Sequence, residues 1–312
     1  MSVGTKWLIA SFLMFGGVIA ALTWILSGHT NASSIYQLTE KIRFGLQEIE
    51  NVKHVSNEKA TYFPYNRQER HVMQKVRDLS YRLNVLLRES RLREEVIPIL
   101  PVMRVTPNQL KVQMLHLYEG VGRLRGSLGL SLEFGGGIPL VEGKTATDVY
   151  ASLQVIEKMF EALGVPKTTA SDSYRVASII EEDIQYIMQN RFHMCDNEHS
   201  DKATGKTASE VYAYAFTMLG EIHELTRREF GRFAPDNMHV PQLKQPPITE
   251  EDVIDLLDQT VADVGALKHA MGLKHQSVLG ATTEGKTHSD VYNMISHIEH
   301  ALACRLNRSP GG

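Results

Sequence analysis

The residues of this chain most able to do chemistry form a glycine-lysine-threonine phrase that occurs three times. GKTATDVY begins at Gly143, GKTASEVY at Gly205 and GKTHSDVY at Gly285. With Gly280, the last copy reads GATTEGKT, which matches by letter the phosphate-binding loop of nucleotide hydrolases. That loop follows a buried strand, and no strand pattern precedes Gly280. We therefore expect that this segment does not bind or hydrolyse nucleotides. A P-loop enzyme is the less favoured alternative.

The recurring lysines of this phrase have two interpretations. Each stands just before a predicted helix, at the end of the helix dipole that disfavours a cation. A local ion pair with the carboxylate four residues later would offset that cost. Alternatively, a lysine beside free backbone N–H groups can bind an anion. We favour the local pair and keep Lys144, Lys206 and Lys286 as candidate contacts for an anion or a partner.

A second group of residues that can bind metals or take part in catalysis lies in the segment HMCDNEH. His193, Cys195 and His199 are metal-ligand types, and they stand close together. Their spacing matches no closed zinc pattern, and no second cluster completes it. A metal-dependent enzyme is therefore a second unfavoured alternative, and we expect no cofactor and no catalytic residues.

Six threonines predict the helices that position these residues. Each is followed three residues later by an acid or a glutamine, which is the capping-box pattern of a helix N-terminus. Apolar residues then recur at alternating steps of four and three, as on one face of a helix. The predicted caps are Thr106, Thr145, Thr169, Thr207, Thr249 and Thr287.

The caps alternate in a strong and a weak form, so the repeat is a pair of helices. Three pairs span residues 106–164, 169–226 and 249–304, and the spacing of the apolar residues favours antiparallel packing. The predicted fold is all-α, either a helical bundle or a short α-solenoid. None of the known helical-repeat signatures fits, so the repeat by itself indicates no function.

Two further helices are predicted in segment 34–105, which is juxtamembrane because it follows a predicted transmembrane helix at residues 7–26. The first, 34–52, has an apolar stripe that suits either a dimer seam or a simple stalk. The second, 66–90, lies within a basic segment, 67–93, with eight Lys or Arg against three acids. That face is either solvated or directed at anionic lipid headgroups.

Residues 7–26 predict an uncleaved transmembrane signal-anchor helix. The alternative is a cleavable signal peptide, which we favour less because the apolar run is long and the one cleavage-like site, around Ala32, is poor. This segment carries no charge, and Trp7 and Trp24 stand near its ends, as interfacial aromatic residues do. Lys6 gives a mild bias that places residues 1–6 in the cytoplasm. The expected location is a bacterial inner membrane, with the domain in the periplasm. We expect a disordered tail at 305–312.

Composition and net charge exclude further classes of function. The net charge of −3 argues against nucleic-acid binding, and two cysteines, Cys195 and Cys304, provide at most one disulfide. We therefore expect a membrane-anchored binding or scaffold module that contacts another protein or an envelope component. A sensory ectodomain is the alternative, weakened because the chain shows no cytoplasmic output domain. Oligomerisation through helix 34–52 is possible.

Overall fold

A computed structural model describes residues 30–58, 66–97, 104–192, 202–276 apart from a few positions between 232 and 239, and 283–307. These residues form eight α-helices and no strand, which confirms the all-α class. The helices are α1 (Ala32–Lys53), α2 (Glu69–Glu89), α3 (Pro107–Ser127), α4 (Ala146–Ala162), α5 (Ala170–Arg191), α6 (Ala208–Phe230), α7 (Glu250–Ala270) and α8 (His288–Asn307).

Two predictions fall partly or wholly outside this part of the chain. None of the eight described helices is long and apolar enough to cross a bilayer, and the predicted span at 7–26 lies outside the described residues. The predicted disordered tail at 305–312 is wrong for 305–307, because α8 continues to Asn307, and 308–312 lie outside the described residues.

The helices form two four-helix bundles, each with its own apolar core. In bundle 1 (α1–α4), α1 and α2 each pack on both α3 and α4. In bundle 2 (α5–α8), α5 and α6 each pack on both α7 and α8. The four described helices of each bundle therefore pack in the same pattern.

Within each bundle the helices run parallel, so the predicted antiparallel pairs are wrong. Near the start of both helices, the backbone N–H of Lys144 before α4 donates to Ser33 Oγ of α1 at 3.1 Å. Further along both, Ser152 Oγ of α4 donates to Glu40 of α1 at 2.8 Å. In bundle 2, α8 follows α5 in the same way, from the backbone of Lys286 at Ser171 to His297 near Glu181.

Long connectors between the helices allow them to run parallel within a bundle. Residues 128–145 separate α3 from α4 and run back along α1: Gly135 lies beside Lys41, and the Ile138 carbonyl accepts a hydrogen bond from Gln37. Eighteen extended residues reach about 60 Å, whereas a 21-residue helix is about 31 Å long. Apolar steps of four and three look the same from either end, so they do not determine direction.

Packing also groups the helices differently from the sequence repeat. The two helices of the 106–164 pair, α3 and α4, occupy opposite corners of bundle 1, as do α1 and α2. The stripe of helix 34–52 is part of the core of bundle 1, so it is neither a stalk nor a free dimer seam. Its buried residues are Ile35, Leu38, Ile42, Leu46 and Ile49.

All six threonine caps form the reciprocal box. At Thr145, the Asp148 backbone N–H lies 3.3 Å from the threonine hydroxyl, and the Thr145 backbone N–H donates to Asp148 Oδ2 at 2.8 Å. The hydrogen bonds from Thr145 lower the pKa of Asp148. A carboxylate at this position also offsets the helix dipole, which matters where parallel helices place their N-termini together. The other boxes begin at Thr106, Thr169, Thr207, Thr249 and Thr287.

Candidate functional site: the polar contact between the bundles

The lysines of the repeated phrase hold neighbouring helices together. In four places a basic residue just before a cap donates its backbone N–H, at 2.9 to 3.1 Å, to a hydroxyl two residues after the neighbour's cap. Its cation lies 4.2 to 4.5 Å from the centre of a tyrosine ring three residues further on. The four sets are Lys144 with Ser33 and Tyr36, Arg67 with Thr147 and Tyr150, Lys206 with Ser289 and Tyr292, and Lys286 with Ser171 and Tyr174.

The backbone conformation at the first position of the phrase explains why that residue is a glycine. Gly143, Gly205 and Gly285 have φ angles of 80°, 68° and 77°, in the left-handed region that side-chain-bearing residues avoid. The turn made there brings the next residue against the neighbouring helix. The expected local ion pairs are also present at two copies, Lys144 with Asp148 at 3.4 Å and Lys206 with Glu210 at 3.0 Å.

The letter match to a phosphate-binding loop has the geometry of a helix cap where it is described. Residues 277–282, which include Gly280, lie outside the described residues. The Lys286 backbone N–H, which a phosphate would need, is bonded to Ser171, and the Lys286 ammonium lies over Tyr174. Thr287 caps α8 through Asp290. This is the arrangement found at Lys144 and Lys206.

The candidate metal ligands His193, Cys195 and His199 lie outside the described residues, as does the side chain of Cys304. Among the side chains that the structure describes, no group of three or more histidine, cysteine, aspartate or glutamate residues is placed to hold a metal ion.

The bundles contact each other mainly through α2 and α7, which run antiparallel. His71 near the start of α2 meets Asp263 late in α7, and Lys75 one turn later meets Asp255 earlier in α7. The contact surface is polar, with basic residues on α2 and carboxylates on α7. It is the most unusual feature of the molecule because most of these charged groups are buried.

Lys75 lies at the centre of this contact and is 1% exposed. Its ammonium donates to Glu157 of α4 at 2.7 Å and to Asp255 at 3.3 Å. Burial alone would lower the pKa of Lys75, but these carboxylates outweigh burial and raise it. Asp255 also accepts hydrogen bonds from Tyr150 and Gln154, each at 2.8 Å. The ion pair therefore joins α2, α4 and α7.

Asp263 is a second buried anchor, where one carboxylate accepts from three side chains. Its Oδ1 accepts from Arg70 at 2.6 Å and from His71 Nε2 at 2.9 Å, and its Oδ2 contacts His223 Nε2 of α6 at 2.9 Å. Although burial acts in the opposite direction, these partners hold the pKa of Asp263 far below its usual range. Asp263 thus joins both bundles through α2, α6 and α7.

His71 is held in its neutral form. The Gln68 backbone N–H donates to His71 Nδ1 at 2.9 Å, so the ring proton must be on Nε2, where it faces Asp263. Burial is the main cause that lowers the pKa of His71 from 6.5 to about 4.

Asp258 is the least satisfied carboxyl of the contact. Its Oδ1 accepts from the Gln74 amide at 3.0 Å, while its Oδ2 is buried without a hydrogen-bond donor among the described residues. Burial, followed by the negative charge of Asp78 across the contact, raises the pKa of Asp258 to about 7. This site can therefore take up and release a proton near neutrality.

The sequence interpretation of segment 67–93 as a solvated or lipid-facing surface is wrong for its buried residues. Arg67, Lys75 and Arg82 are at most 9% exposed and face bundle 2 or α4. The available signal was a pair of matching stripes, basic on α2 and acidic on α7, at helical spacing. The acidic stripe begins with Glu251, Asp255 and Asp258, at steps of four and three, and Asp263 follows five residues later.

No protein-family model, curated protein or solved structure matches this chain. The site therefore has to be interpreted from its own geometry.

Proposed function

We propose that this chain is a binding or scaffold module, held at a membrane by residues 7–26, with both bundles outside the cytoplasm and without catalytic activity. One observation supports the non-catalytic part of the proposal. The lysine of each glycine-lysine-threonine phrase stacks on a tyrosine of the neighbouring helix in the same geometry. The phrase that most resembles a chemical motif therefore serves to assemble the bundles.

The anchor part of the proposal rests on the uncharged 20-residue segment and on the position of the first described helix. Residues 7–26 are long enough, at about 30 Å, to cross a bilayer core. Because α1 begins at Ala32, only residues 27–31 separate it from the proposed span. Bundle 1 would then lie close to the membrane surface, where it could contact another protein or an envelope component.

Membrane anchoring can be tested with charges placed in the segment. Wild-type protein should stay in the membrane fraction during alkaline carbonate extraction, and a Leu13→Arg/Val18→Arg variant should be released, because arginine at the bilayer centre is costly. The matched Leu13→Ala/Val18→Ala variant should stay in the membrane. Protease added to intact spheroplasts should digest the bundles. Release of the wild-type protein would contradict the anchor, and protection of the bundles would contradict the orientation.

The absence of nucleotide chemistry has a separate test. Calorimetric titration of the full chain in detergent with ATP and Mg²⁺ should give no binding, for wild type and for Lys286→Ala alike. Micromolar ATP binding that disappears in Lys286→Ala would restore the P-loop enzyme. A titration with Zn²⁺ tests the metal alternative in the same way, with His193→Ala as the variant.

A sensory ectodomain is a second candidate, favoured by the polar contact between the bundles. Polar interfaces between domains permit relative motion more readily than large apolar ones. Movement of bundle 2 on bundle 1 could reach the membrane through α1. A ligand-dependent change in the distance between the bundles would favour this candidate over a rigid scaffold.

A further inference from the structure

Two buried side chains in the contact between α2 and α7 have opposite proton requirements. Asp258 Oδ2 has no hydrogen-bond donor among the described residues, and Asp78 faces this carboxyl across the contact. A proton on Asp258 removes the repulsion and the cost of a buried charge. The docked arrangement of the bundles therefore favours Asp258 with its proton.

The requirement of His71 is the reverse. Its Nδ1 already accepts the Gln68 backbone N–H, so a proton there would break a hydrogen bond at the start of α2 and leave a cation in a buried site. Arg67 and Arg70, on the same side, also oppose a positive charge. Docking therefore favours His71 without its second proton.

We propose that these two groups compensate each other, so that docking of the bundles changes little between about pH 5.5 and 7.5. Acid strengthens the contact through Asp258 and weakens it through His71. Neither residue alone would give this behaviour, because each has a strong pH dependence of its own. This compensation between Asp258 and His71 goes beyond the proposed function and does not depend on the membrane anchor.

Other charged groups face these two residues from every helix of the contact. Asp258 faces Lys75, Arg77 and Asp78 of α2, Tyr150 of α4 and Asp255 of its own helix. His71 faces Asp263, which also binds His223, and the nearby Glu157 lies between Lys75 and Arg82. Burial raises the pKa of Glu157, and the two cations oppose that effect. Glu157 keeps both of these cations in the variants below, so its contribution is the same in wild type and in each variant.

The size of each effect follows from proton linkage. Asp258 has a pKa of about 7 when docked and an ordinary value of 3.8. The docking constant should therefore fall about 25-fold from pH 5.5 to 7.5 through this group. His71 has a pKa of about 4 when docked and an ordinary value of 6.5, so it should raise the constant about tenfold over the same interval. The two effects together leave a change of about threefold.

Native-state hydrogen exchange on the full chain tests this proposal. Protection of the α2 and α7 amides is measured at pH 5.5 and 7.5 and corrected for the intrinsic exchange rate. In Asp258→Asn, protection should be about tenfold weaker at pH 5.5 than at pH 7.5, because only the effect of His71 remains. In His71→Gln, protection should be about 25-fold stronger at pH 5.5 than at pH 7.5, because only the effect of Asp258 remains. Glu94→Gln, which removes an exposed carboxylate paired with Arg88 at 2.9 Å, is the control and should not change the wild-type pH dependence.

Opposite signs in the two variants support the proposal. Shifts of the same sign, or an Asp258→Asn variant whose pH dependence equals that of wild type, would overturn it. If His71→Gln does not fold, the Asp258→Asn comparison decides alone, because asparagine keeps the shape of the side chain and its bond to Gln74.

Discussion

Lys75→Met is the substitution that most directly tests whether the bundles are joined by a buried ion network. The methionine keeps most of the volume and removes the ammonium. At an effective dielectric constant of about 20, attraction between unit charges is about 6 kcal/mol at the 2.7 Å separation from Glu157 and about 5 kcal/mol at the 3.3 Å separation from Asp255. Desolvation of the ammonium offsets several kcal/mol of this attraction.

The net loss depends on what remains after the ammonium is removed. Asp255 keeps its bonds from Tyr150 and Gln154, and Glu157 keeps Arg82 at 3.2 Å. Neither carboxylate is then without a partner, but both remain buried with less positive charge nearby. We therefore expect Lys75→Met to lose about 3–5 kcal/mol of stability, the usual range when one partner of a buried pair is removed.

Urea denaturation followed by circular dichroism measures this loss. The control is Arg88→Met, which removes an exposed cation paired with Glu94 and should leave the midpoint unchanged. Adding Glu157→Gln to Lys75→Met should cost less than the sum of the two single changes, by about 1–3 kcal/mol. A loss below about 1 kcal/mol for Lys75→Met, or simple additivity, would refute the buried network.

Four further variants can be measured in the same assay. Thr145→Ala should lose about 1 kcal/mol because it removes a cap, whereas Lys144→Met should lose about 0.5 kcal/mol through its contact with a tyrosine ring. Gly45→Ala should destabilise by about 1–2 kcal/mol, since a β-carbon there would lie 2.4 Å from the ring of Phe134. Gly220→Ala has no atom within 4 Å of the new carbon and should stabilise by about 0.5–1 kcal/mol. Equal effects at the two glycines would contradict the close packing at Phe134, and equal losses at Thr145 and Lys144 would contradict the cap assignment.

The helices were predictable from the sequence because their signals are local. A threonine and an acid three residues apart, as at Thr145 and Asp148, specify a helix start through atoms of one turn. The apolar steps that follow specify which face is buried. These signals placed α4 and α8 from the residues alone, without knowledge of their neighbours.

Helix direction and partner were not predictable in this way. The apolar seam of α3 is equally compatible with a parallel or an antiparallel neighbour, and only the 18-residue connector at 128–145 indicated that a parallel return was possible. The site was missed for a related reason. A basic stripe on α2 is typical of a solvated face, and its burial depends on the carboxylates of α7, about 180 residues away in sequence.

The parallel arrangement also has a consequence for the speed of folding. Two successive helices cannot close against each other through a short turn within a bundle, and the contacts between α1 and α4 or α5 and α8 join residues 111 and 115 positions apart. Proteins whose native contacts are distant along the chain fold in milliseconds to seconds, whereas helical bundles with local loops fold in microseconds to milliseconds. Although it is built from helices alone, each bundle should refold as slowly as a β-sandwich.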